Sequence, residues 1–140
     1  MHSELEKLTT SIENKIIVSA VKGIMPETGL LVGEHFHNVY KIPFDNIAVI
    51  AGPCHAEEVA LERLSYLTVS CSDAAKAQNI ADNLSSNYIK TKISDDIIGV
   101  EYAVMLKNIY AIASGIAHGL GYGDNFQSVL MSNAIREMKR

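Results

Sequence analysis

The spacing of hydrophobic and polar positions changes several times along this chain. Residues 3–13 (SELEKLTTSIE) put Leu5, Leu8 and Ile12 on one stripe, which predicts a helix. Residues 15–21 (KIIVSAV) are a short β-branched apolar run and predict a buried strand. Pro26 can open a helix, and residues 27–40 (ETGLLVGEHFHNVY) carry a mixed helical pattern that stops before Pro43. Residues 46–51 (NIAVIA) predict a second strand, closed by Gly52-Pro53. A helix is expected over 55–63 and a third strand over 65–71 (SYLTVSC). Ser72-Asp73 caps a helix over 73–85. Residues 87–93 (NYIKTKI) alternate and predict a fourth, more exposed strand. Beyond Ser94 the signals are helical only: residues 96–118, the corner GLGYGD, and a last helix over 125–139.

Alternating strands and helices predict an α/β sheet of about four strands. The change of pattern at Ser94-Asp95-Asp96 sets the expected boundary, with an α/β part over 1–94 and a helical part over 95–140. Residues 97–117 (IIGVEYAVMLKNIYAIASGIA) are long enough to span a bilayer. They carry Glu101, Lys107 and Asn108 near the middle, which is costly in lipid, so the expectation is a helix buried inside a protein and no membrane partner. The first strand has no preceding unit to cover it, and the last helix ends beside one that needs burial on all sides. This layout reads as a piece of something larger.

Composition narrows the class. The chain has 140 residues, of which 48% are hydrophobic and 20% charged, so it is too apolar for intrinsic disorder. Two cysteines exclude a disulfide-stapled scaffold. A net charge of −4 with no basic block argues against nucleic acid as a partner. The first fifteen residues are polar and lack the apolar core of a secretory signal, so the cytoplasm is the expected location.

Lys107 is the most informative candidate. It sits in an apolar helix, and desolvation lowers a lysine pKa toward the range of a usable base. The alternative is a lysine that reaches solvent or pairs with Glu101. Gly52-Pro53 closes a strand and opens a helix in AGPCHAEEVA, where ligands of α/β sheets bind. Lys22 follows a strand end in SAVKGI and could meet a ligand phosphate. His35 and His37 are two apart, do not share a helix face, and no further ligands complete a metal site. Gly119-Leu120-Gly121-Tyr122-Gly123 follows a helix rather than a strand and lacks GxGxxG spacing, so it reads as a helix–helix corner.

The ordered blocks VSAVKGI, AGPCHAEEVA and SDDIIGVEYAVMLKNIYAIASGIAHGLGYGDN, with a final helix ending in EM, resemble bacterial-type NAD(P)-dependent glycerol-3-phosphate dehydrogenases over essentially the whole chain. The resemblance implies the distal half of a Rossmann-type sheet followed by the first long helices of an all-α substrate domain. It implies hydride transfer between NAD or NADP and a small phosphate substrate, interconverting dihydroxyacetone phosphate and glycerol 3-phosphate. By the same resemblance Lys107 is the general acid/base. Lys22 lies near substrate and cofactor, Gly52 and Cys54 contact substrate, Ala56 contacts the nucleotide, and Asn108 neighbours the substrate.

This chain departs from the family's pattern in places. Val21 stands where threonine is usual and Cys54 where serine or threonine is usual. Asn133-Ala134 occupy the place of an Arg-Gly pair. The family's GxGxxG turn and its downstream phosphate motif have no counterpart in these residues. The expectation is therefore the middle segment of such an enzyme, inactive by itself. Two other readings remain. One is a non-catalytic module that associates into a homo-oligomer through its open strand edge and uncovered helix. The other is a segment of a related two-domain hydroxyacid dehydrogenase, against which Lys107-Asn108 and the GLGYGDN corner argue.

Overall fold

A computed structural model describes residues 2–5 and 7–139. The chain runs α1 (His2–Leu5), β1 (Ile17–Ser19), α2 (Val32–Tyr40), a 3-10 turn (Phe44–Asn46), β2 (Ile47–Ala51), α3 (Ala56–Ala60), β3 (Ser65–Cys71), α4 (Ala74–Leu84), β4 (Ile89–Ser94), α5 (Ile97–Gly119) and α6 (Asp124–Met138). The four strands form one sheet in the order β1-β2-β3-β4. β1 and β2 are parallel, β2 and β3 antiparallel, and β3 and β4 parallel. The fold is α/β with long helices after it, as the apolar pattern predicts.

Both helices ahead of β2 are shorter than their periodicity. The helix expected over 3–13 stops at Leu5, and Glu6 lies outside the described residues. Thr9, Thr10 and Ser11 offer the backbone competing side-chain bonds, and Ser11 Oγ accepts from the Glu13 N–H at 3.3 Å. The helix expected from residue 27 begins at Val32. Ahead of it the Gly29 N–H donates to the Met25 carbonyl at 2.8 Å, and Gly29 sits at φ +68, which closes a turn instead.

Side-chain alternation along β2 divides the core. Ala48 faces α4 with Val69, Cys71, Ala77 and Ala81, all fully buried. Ile47 faces the other way with Val32, Phe36 and Ile42 from α2 and the loop after it. α5 docks on that second face, where Ile97 is buried. The molecule is thus α4, the sheet, then α2 with the start of α5. Asp73 caps α4 by accepting from the N–H groups of Ala75 and Lys76 at 2.9 and 3.1 Å.

Beyond its first turns α5 is mostly half-buried or exposed. Only Ile97, Glu101 and Ala117 of its 23 residues are buried. The expected enclosure on all sides is absent: α6 covers one stripe, the sheet end and α2 meet the first turns, and Ile109, Ile112 and Ile116 stay exposed. α6 returns antiparallel to α5. Ser114 Oγ donates to Gln127 Oε1 and the Tyr110 hydroxyl donates to Glu137, both at 2.6 Å. α5 is long and apolar enough to cross a membrane by length and composition. Its packing on β2 and β3 makes it part of this fold.

Candidate functional site

The turn after β2 sets one wall of the site. Gly52 has φ +145, and a Cβ there would fall on the Tyr66 carbonyl oxygen of β3. Only glycine lets the strand end turn while its neighbour lies this close. Pro53 and Cys54 follow, and the Tyr66 N–H donates to the Pro53 carbonyl at 3.2 Å, pinning the turn to the sheet. α3 then begins at Ala56 and runs five residues, not the nine expected over 55–63. So short a helix has little dipole to offer an anion.

The opposite wall is α5. Val100, Ala103, Val104 and Lys107 recur at the spacing of one helical stripe and face the turn. Between the walls lies an open cavity of about 540 Å³. Lys22 closes it from the segment after β1, and Met138 from the end of α6. The structure therefore brings Lys22, Gly52, Cys54 and Lys107 to one cavity. It leaves Asn108 exposed on α5 and Ala56 exposed on α3, outside the lining.

Of the two readings of Lys107, the structure takes the one in which it reaches solvent. It is exposed at the cavity, not sunk in apolar surroundings, because the helix around it is itself open to solvent. Nor does Glu101 pair with it. The Glu101 carboxylate is 2% exposed and accepts from the Gly33 N–H through both oxygens, at 3.1 and 3.2 Å. Burial pushes the Glu101 carboxyl above the ordinary glutamate value and nearby Glu34 adds to that, while the Gly33 and, less strongly, Val32 N–H groups pull it down.

Cys54 and Cys71 are both free thiols. Cys54 is half-buried at the cavity and Cys71 is buried, its thiol directed at the Asp45 carbonyl at 3.6 Å. Among the described residues no three His, Cys, Asp or Glu side chains gather as a metal site. Among the other cavity residues are His55, Thr68 and Met138, of which the last two escape sequence reasoning. His55 follows Cys54 and was legible as part of the same turn. Thr68 reaches the cavity because β3 runs antiparallel to β2, which sets it opposite Ala51. Met138 arrives from 31 residues beyond Lys107 through the α5–α6 corner, and no local signal marks it.

A cavity at a strand end, with two lysines and a thiol, suits a small anionic ligand. The family model described as NAD-dependent glycerol-3-phosphate dehydrogenase N-terminus matches residues 1–77, and that described as the C-terminus of the same family matches residues 96–140. A glycerol-3-phosphate dehydrogenase (NAD(P)+) of Oceanobacillus iheyensis is 38% identical over 138 residues, covering 99% of this chain and 40% of that protein. One from Listeria monocytogenes is 40% identical over 129 residues, covering 91% and 38%. The solved glycerol-3-phosphate dehydrogenase of Coxiella burnetii aligns with TM-score 0.77 and 30% identity over 89% of this chain and 37% of that one. That of Plasmodium falciparum aligns with TM-score 0.81 and 25% identity over 97% and 38%. The chain spans about 40% of the length of the curated relatives it matches.

Proposed function

The chain belongs to the NAD-dependent glycerol-3-phosphate dehydrogenase family, and from that premise we propose that its cavity holds the reacting end of a triose phosphate. The carrying observation is the meeting of Lys22, Cys54 and Lys107 around one open space at the end of β2. Lys107 donates a proton to the carbonyl oxygen of dihydroxyacetone phosphate and recovers it from glycerol 3-phosphate in the reverse direction. A lysine that reaches the cavity on a straight α5 stripe can hold that proton at a defined place. Lys22 supplies a second positive charge across the cavity, which draws in the phosphate and opposes charge build-up on oxygen. Cys54 offers a thiol, a weaker donor than a hydroxyl, to the substrate's oxygens. Asn108 and Ala56 take outer positions, beside Lys107 and two residues past Cys54.

The nicotinamide of NAD or NADP, when bound, supplies or accepts the hydride. The residues of this chain fit only that reacting end. The glycine of the β2 turn is required by the Tyr66 backbone rather than by a phosphate. The remaining glycine-dense stretch joins two helices. The pyrophosphate therefore finds no strand–turn–helix cradle among the described residues. It follows that the 140 residues alone bind substrate weakly and do not turn over.

A division of the chain at 94/95 separates part of a nucleotide-binding domain from the start of a helical substrate domain. The match of the C-terminal family model from residue 96 supports that division. Self-association belongs to the same reading, supported by the exposed Ile109, Ile112 and Ile116 of α5. A cytoplasmic location fits two unpaired thiols. The test is protection of Cys54 from alkylation. Glycerol 3-phosphate slows the modification, and Lys22→Ala or Lys107→Ala removes the protection. Equal rates with and without the ligand at tens of millimolar would overturn the reading.

A further inference from the structure

We infer that Glu101 is the positioning residue of Lys107: its carboxylate clamps the first turn of α2 and so sets the rotation of α5 about its own axis. This inference rests on the cavity reading above, which makes the direction of Lys107 matter.

The clamp fills a gap in α2. That helix opens at Leu31, whose side chain has no oxygen to cap the first turn. Glu34 reaches back to accept from the Leu31 N–H at 3.0 Å, which satisfies one donor. The Gly33 N–H has no local acceptor, and the Glu101 carboxylate provides it from 68 residues away. Glycine at position 33 is what permits the approach. A Cβ there would stand 3.0 Å from Glu101 Oε2, close enough to push the carboxylate away, while Ile97 and Ile47 would be at ordinary contact distance.

Rotation is fixed because α5 uses two neighbouring stripes at once. Ile97 and Glu101, one turn apart, face α2 and β2. Val100, Ala103, Val104 and Lys107 face the cavity. One residue of offset corresponds to about 100° around the helix, so releasing the first stripe carries the second away from the cavity. Ile97 alone is a poor pin, since apolar contact is non-directional. The Glu101 carboxylate, by contrast, must stay within hydrogen-bond reach of the fixed N–H groups at the start of α2, 3.1 and 3.2 Å from that of Gly33. A buried carboxylate is a costly way to join two helices, and orientation is what it supplies in return.

The test reads geometry and needs no ligand. In the full chain carrying Lys107→Cys, a short bifunctional thiol reagent links residue 107 to the native Cys54, and mass spectrometry gives the rate. Adding Glu101→Ala should slow the link by about tenfold or more, while Glu101→Gln, which keeps one acceptor oxygen, should hold it within about threefold. Gly33→Ala attacks the same clamp from α2 and should slow linking although alanine favours a helix. Val69→Ala, in the core cluster beneath α4, lowers stability without touching α5 and should leave the rate unchanged. The inference falls if Glu101→Ala links at the parent rate. If Glu101→Ala does not fold, an unchanged rate in Gly33→Ala overturns it, as does equal slowing by Val69→Ala. Loss of linking together with no protection of Cys54 by glycerol 3-phosphate would keep the clamp and sink the substrate reading instead.

Discussion

The α4 face of the sheet and the α5–α6 hairpin are both rich in aliphatic residues, and they end in opposite states. Beneath α4, Ala48, Val69, Cys71, Ala77 and Ala81 are each at most 1% exposed. On the hairpin, Ile112 is 65% exposed and Ile135 64%. The difference lies in closure, not composition. α4 is joined to β3 and β4 by short connections and folds straight back on them. Past the first turns of α5, which meet α2, the hairpin packs on itself and on one end of the sheet. Lys107 sits on the seam, with the sealed sheet on one side and the open hairpin on the other. The sealed part holds the geometry of the cavity, and the open part carries the reacting lysine.

The largest expected effect breaks the contrast by closing the open side. The chain should show a mass above that of one copy in light scattering, and Ile112→Glu with Ile116→Glu should return it to a single copy. A single-copy mass for the parent chain would refute self-association through this face. Truncation then separates the two regions by stability. Ile47→Ala removes a fully buried side chain, so it should cost about 2–5 kcal/mol in denaturant melts. Ile112→Ala should stay within about 0.5 kcal/mol, because its side chain already meets solvent. Equal losses at the two positions would mean that the hairpin is covered after all.

A smaller effect distinguishes the regions by pH. Asp73, at the start of α4, is held below its ordinary value of 3.8, first by the Lys76 N–H. Its folded state releases the proton more readily, so its contribution is present above pH 3.8 and fades as pH falls below it. Glu101 has the opposite sign. Burial holds it above 4.5, the folded state keeps the proton longer, and stability declines as pH rises from 4.5 through the raised value. Asp73→Asn should flatten the acid limb of a stability–pH curve, and Glu101→Gln the limb above it. Melts that respond to Glu101→Gln only below pH 4.5 would contradict the assigned sign.

Much of this contrast is legible in the order of the residues. The apolar runs of residues 46–51 and 65–71 are β2 and β3 within a residue, because buried strands impose a short uninterrupted period. Asp73 marks the start of α4 because a carboxylate there meets two orphan N–H groups. The antiparallel step between β2 and β3 is not legible, since strand direction depends on a connection that leaves no periodic trace. Thr68 is missed for that reason. The exposure of Lys107 is one of two readings the residues leave open, and periodicity does not choose between them. Hydrophobic periodicity says that α5 needs a partner and not whether this chain provides one. Glu101 stands out in the sequence as a charge in an apolar helix, and its acceptor role needs Gly33, which only the fold brings near.

The central claim is that the seam between the two regions is where a triose phosphate meets its proton donor. Heteronuclear NMR on the labelled chain, titrated with glycerol 3-phosphate, tests it most directly. The account predicts amide shifts concentrated at Lys22, Gly52, Cys54 and Lys107, lost in Lys107→Ala. Shifts confined to the exposed hairpin face, or unchanged by that substitution, would contradict it.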